Sequence, residues 1–175
     1  MSLLIFSYRK QEIIRRKNEI SFKLMNLTKK LMDLQSYSTS VSDGTVSMSE
    51  LIQAPASMFN RMSIFAMGSN NASIEQTNMK FSQLATSGML AQMMSSVPQE
   101  QQAAYQQMVK QNLYIQSREA FGKREEKLLN MENLKIDQEK AKLETQLKML
   151  EAEESKVSEQ EDKAAKDSAP KYGGS

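Results

Sequence analysis

The chain has 175 residues, a formal net charge of +2, and neither cysteine nor histidine. Those absences exclude disulfide frameworks, Cys/His metal sites, thiol nucleophiles and every triad that relies on imidazole. Hydrophobic residues make up 39% and aromatics 6%, with no tryptophan, which argues against one well-filled globular core and for an elongated helical protein.

The near-neutral total conceals three zones. Residues 1–40 are basic: between Arg9 and Asp33 stand eight lysines and arginines against three acids. Residues 118–166 are acidic, with ten acids against five lysines from Glu132 to Asp162. In the zone 41–117 only Asp43, Glu50, Arg61, Glu75, Lys80, Glu100 and Lys110 carry charge, and Met, Ser, Gln, Asn and Ala dominate.

In the first zone Phe6, Ile13, Ile20, Leu27 and Leu34 recur every seven residues, with Leu24 and Leu31 at the alternate core position. That is a coiled-coil seam. Lys10 and Lys17 hold the alternate position in the first half, so the seam weakens toward the N-terminus. A helix is expected from about Leu4 to Tyr37, ending near the Ser/Thr run at 38–40 and the turn signal Asp43-Gly44.

Three capping-box patterns punctuate the middle zone: Ser47 with Glu50, Ser73 with Gln76, and Ser96 with Gln99. In each a hydroxyl could accept a free amide while the side chain three residues on reaches back. They predict a short helix near 47–53, another about 55–67 closed by Gly68-Ser-Asn-Asn, and a third about 73–95. A fourth is expected from Pro98, since proline is tolerated in a first turn. It carries Tyr105, Met108, Val109 and Leu113 on one face and runs toward the acidic zone. Gly122 costs about 1 kcal/mol in a helix, too little to decide a break.

In the last zone Leu129, Ile136, Leu143, Leu150 and Val157 again recur every seven, joined by Leu147. The companion positions Asn133, Lys140 and Glu154 are polar, and Phe121 with Leu128 sits one residue out of phase. A single apolar stripe on so charged a helix needs a partner helix. Opposite charge then predicts that the two terminal helices pair, seam against seam, with Lys/Arg meeting Glu/Asp on the flanks. The competing arrangement pairs each helix with a copy of itself, against like-charge repulsion. Residues 167–175 read as a flexible tail.

No catalytic, cofactor or metal site is expected. Glu125 with Glu126, and Glu151 with Glu153 and Glu154, are near neighbours on a helix, where consecutive side chains point about 100° apart rather than at one ligand. No Walker-type loop, GxGxxG or EF-hand pattern is present. The basic stretch Arg9, Lys10, Arg15, Arg16, Lys17 could track DNA phosphates, but the apolar seam runs straight through it, so nucleic acid is disfavoured. With Leu3 to Phe6 at its tip, the same helix fits a peripheral membrane-binding element, the alternative to a protein partner or self-assembly. The apolar start is too short for a cleavable signal peptide, and the longest charge-free run, between Lys80 and Glu100, is too polar for a transmembrane helix. The chain is therefore expected to be cytoplasmic or exported by a signal-independent route.

Nine methionines lie in the middle zone with Phe59, Phe65 and Phe81, more than short helices hide among themselves. Met89, Met93 and Met94, beside Val97 and the Pro98 turn, are the candidate interface there. The general layout resembles that of bacterial axial proteins, the flagellar and type III needle or filament subunits, and equally of a virion component. That resemblance is one of architecture, and it implies a non-catalytic subunit whose terminal helices pair around a bundle of shorter helices.

Overall fold

The computed structural model describes residues 2–42 and 44–168. Every regular element among them is helical: α1 (Ser2–Val41), α2 (Met48–Gln53), α3 (Ala56–Thr86), α4 (Met89–Met94), a 3-10 turn at Gln99–Gln101, and α5 (Gln102–Ser168). The protein is all-α, and α1 packs against α5.

Two compact units share these helices. One comprises Met1–Leu31 with Leu134–Ser175, and its described part is a pair of helical segments from α1 and α5. The other is Met32–Asn133, in which the end of α1, the helices α2 to α4 and the first part of α5 form a small bundle.

α1 is longer than expected, because the Ser/Thr run does not stop it. Thr39 and Ser40 donate their hydroxyls to the carbonyls of Gln35 and Ser36, at 3.1 and 3.3 Å. Such back-bonding lets short polar side chains stay inside a helix. Val41, one heptad beyond Leu34, is fully buried. The chain turns at Gly44, whose φ of 76° is open to glycine and whose amide donates to the Val41 carbonyl at 2.9 Å. Asp43 of the expected turn lies outside the described residues.

The first capping box forms as a reciprocal pair: the Glu50 amide donates to Ser47 Oγ at 3.2 Å, and the Ser47 amide to the Glu50 carboxylate at 2.7 Å. The other two do not. The helices expected at 55–67 and 73–95 are instead one 31-residue helix, α3, which continues through Gly68 and Ser73. Ser69, Ser73 and Thr77 are four residues apart and all buried, so they form one face of that helix. Thr77 donates to the Ser73 carbonyl at 2.7 Å, again within the helix. The break comes at Gly88, left-handed with φ 77°, and only the six residues of α4 follow it. Ser96 makes no cap either, since the 3-10 turn has Pro98 at its N-cap with no side-chain hydrogen bond.

α5 runs 67 residues across Gly122 and through Ser168. Asp167 and Ser168, expected to begin the tail, are still helical, and 169–175 lie outside the described residues.

Candidate functional site

In the first unit the two helical segments run antiparallel, and their charges show the register. Lys10 Nζ lies 3.2 Å from Glu161, and Lys17 Nζ lies 2.7 Å from Glu154. Seven residues forward on α1 is thus seven residues back on α5, one heptad on each. Both lysines occupy the polar interruptions of the α1 seam, and Glu154 is one of the polar interruptions of the α5 seam. Lys10, Lys17 and Glu154 therefore each face an opposite charge, which satisfies groups that would otherwise cost stability in the interface. Arg9 adds a third bridge, to Glu153 at 2.6 Å. The hydrogen bond to Glu154 holds the Lys17 ammonium above the usual lysine range, while burial acts the other way.

Around these pairs Ile13, Ile136 and Val157 are buried, and Phe6, Ile20, Leu24, Leu27, Leu31, Leu143, Leu147 and Leu150 are half-buried. Two helices alone leave their seam open at the sides. A groove of about 450 Å³ between them exposes the edges of Ile20 and Leu150 beside Met149, itself 66% exposed.

In the second unit Leu34 and Leu129 are fully buried. A polar cluster that sequence reasoning missed ties three helices here. Arg61 on α3 donates to Glu125 and Glu132 on α5, each at 2.9 Å, and its guanidinium lies 5.5 Å from the ring centre of Tyr37 on α1. Tyr37 is fully buried and donates its hydroxyl to Glu125 at 3.1 Å, while its ring meets Phe65 edge-on at 6.5 Å. Burial, reinforced by the Glu125 charge and hydrogen bond, pushes the Tyr37 phenol well above its ordinary range. Burial opposes the Arg61 charge, but Glu132 and Glu125 outweigh it and hold the guanidinium above its ordinary value. The available signal was Arg61 itself, an arginine in a zone nearly free of charge. Asn133, the remaining polar seam position in this unit, keeps Oδ1 buried with no hydrogen-bond partner among the described residues.

The methionines of the middle zone divide. Met58 and Met62 are core, at 8% and 1% exposure, and Met94 is half-buried with its sulfur 3.3 Å from Gln106 Nε2. Met48, Met67, Met79, Met89, Met93 and Met108 are exposed. The candidate trio Met89, Met93 and Met94 therefore presents two side chains to solvent and turns one toward α5.

No family model, curated protein or solved structure matches the chain. Its chemistry must be read from these helices alone. No helix among the described residues is long and apolar enough to cross a membrane, and no group of three or more Asp and Glu side chains among them could hold a metal ion.

Proposed function

We propose that this is a non-catalytic structural or interaction protein that assembles through its coiled-coil helices, as a subunit or scaffold of a larger assembly. The observation that carries the reading is the apolar surface that remains once the helices have paired. Leu4, Tyr8, Phe22 and Met25 on α1, Met67 on α3 and Met149 on α5 are all at least 60% exposed. Single exposed apolar side chains are ordinary, but rows of them along helices are what interfaces use. The polar contacts also support it, because Tyr37, Arg61 and Lys17 are each bound into contacts between helices.

The membrane alternative loses ground on the same residues. Arg9, Lys10 and Lys17, which would face anionic lipid, are each paired with a glutamate of α5. A surface-seeking basic face needs those cations free. Light scattering on the intact chain tests the proposal: a mass above that of one chain supports assembly. A monomer that binds anionic vesicles in a salt-sensitive way would favour the alternative.

A further inference from the structure

The face of α1 opposite its seam has a pattern of its own. Counting outward along that face in steps of three and four, Leu4, Tyr8, Phe22 and Met25 are 80%, 71%, 61% and 60% exposed. Between them, in the same steps, come Gln11, Arg15 and Asn18, also exposed. These positions are the outer ones of the heptad, which in a two-helix pair are ordinarily its most polar. Here the order of chemical types is aliphatic, aromatic, amide, arginine, amide, aromatic, thioether. It reads nearly the same in both directions, with Arg15 at the centre.

We propose that this face is a two-fold interface with a second copy of the chain, in which α1 runs antiparallel to α1 and the axis passes beside Arg15. The inference rests on the assembly reading above and specifies its partner and geometry. In a two-fold contact a residue that touches another is touched by its twin. Antiparallel pairing about Arg15 sets Tyr8 opposite Phe22 of the second copy, Leu4 opposite Met25 and Gln11 opposite Asn18. Each large apolar group then meets another, and the amides meet each other. A parallel pair would instead match each residue with its own twin, Tyr8 with Tyr8 and Phe22 with Phe22, and would leave the mirrored order of the face unused.

Charge is compatible with a second copy, because Arg9, Lys10 and Lys17 of the basic stretch are already paired with glutamates of α5. Arg15 lies 3.9 Å from Glu19, a loose pair, and both side chains are more than half exposed. Glu12 stands one turn before Arg15 and Glu19 one turn after it. At the axis each Arg15 guanidinium could therefore reach across to Glu19 of the second copy, while Glu12 already accepts from Arg16 at 2.6 Å. The same carboxylates, beside an apolar row, fit an anionic lipid surface poorly.

The absence of cysteine makes the test direct, because each introduced thiol is unique. Arg15→Cys, Tyr8→Cys and Phe22→Cys replace exposed side chains, and circular dichroism with thermal melting confirms that each variant folds. Mild oxidation, or a short bismaleimide, should join Arg15→Cys to itself as a covalent dimer. Tyr8→Cys alone should stay single, and a mixture of Tyr8→Cys with Phe22→Cys should cross-link. Thiols must come within disulfide reach, so the pattern reports register as well as proximity. Self-linking of Tyr8→Cys, with or without that of Arg15→Cys, overturns the antiparallel geometry. Failure of both expected links, while light scattering still finds the unmodified chain above monomer mass, overturns this interface and leaves the assembly reading standing. A monomer throughout overturns both.

Discussion

Gly122 meets Gly44 backbone to backbone: a Cβ on Gly122 would lie 2.7 Å from both the Cα and the amide nitrogen of Gly44, and 2.9 Å from the Val41 carbonyl oxygen. The turn after α1 thus rests directly on α5 because neither residue has a side chain there. Helix propensity alone favours alanine over glycine at position 122 by about 1 kcal/mol. The clash should win, and Gly122→Ala should destabilise the protein by about 1–3 kcal/mol, as overpacking does. Gly68 is the control, since nothing lies within 4 Å of where its Cβ would be. Gly68→Ala should stabilise by about 0.5–1 kcal/mol. Urea denaturation of the two variants checks both signs, and equal shifts would refute the contact.

Arg61 should matter more than a surface arginine. With its own side chain 30% and that of Glu125 14% exposed, removing the cation leaves a largely buried carboxylate without its charge partner. Arg61→Ala is expected to cost about 1–3 kcal/mol, the usual penalty for stranding a buried polar group. Arg16→Ala, whose pair with Glu12 on one exposed face involves a side chain 57% exposed, should change stability by under about 0.5 kcal/mol.

Alkaline pH should loosen the structure. The Tyr37 phenol and the Lys17 ammonium both hold their protons more tightly folded than free. A raised folded pKa contributes stability that is complete below the unfolded value and is lost as pH rises toward the folded one. The loss should therefore begin near the ordinary values of 10.0 for tyrosine and 10.5 for lysine. Melting temperatures from pH 8 to above these values should fall, and Tyr37→Phe should flatten part of the decline. Ultraviolet titration should find one tyrosine ionising last, and should lose that late step in Tyr37→Phe.

The seam and the outer face of α1 should respond differently. Leu34 is fully buried, and Leu34→Ala should cost about 2–5 kcal/mol. Met32, two residues earlier and 63% exposed, should be nearly neutral to alanine in the monomer, within about 0.5 kcal/mol. Comparable losses at both positions would contradict the assigned face.

The all-α class and the pairing of the terminal helices were legible in the sequence, because a seven-residue period sustained over five turns of the pattern is a long-range signal. The middle zone was read less well, for a local reason. Ser73 with Gln76 has the spacing of a helix start, yet Ser73 lies fully buried within α3, in line with Ser69 and Thr77. A four-residue motif does not reveal whether the preceding turn is already helical. The same holds for Ser38 to Ser40, whose hydroxyls at 39 and 40 turn back to their own helix. Gly88, inside the helix expected at 73–95, breaks it with a left-handed φ of 77°, whereas Gly68, expected to close a helix, and Gly122 both lie within continuous helices. The Tyr37, Arg61 and Glu125 cluster joins residues 64 and 88 positions apart, beyond any periodicity in a single helix.

If the exposed apolar faces serve assembly, the intact chain associates in solution. Sedimentation equilibrium of the intact 19.9 kDa chain over a wide concentration range tests it most directly. The expected mass rises with concentration to at least twice that of one chain, and returns to one chain in the double variant Tyr8→Gln, Phe22→Gln with helicity unchanged. A folded chain that stays at 19.9 kDa at every concentration, with no larger species, would contradict it.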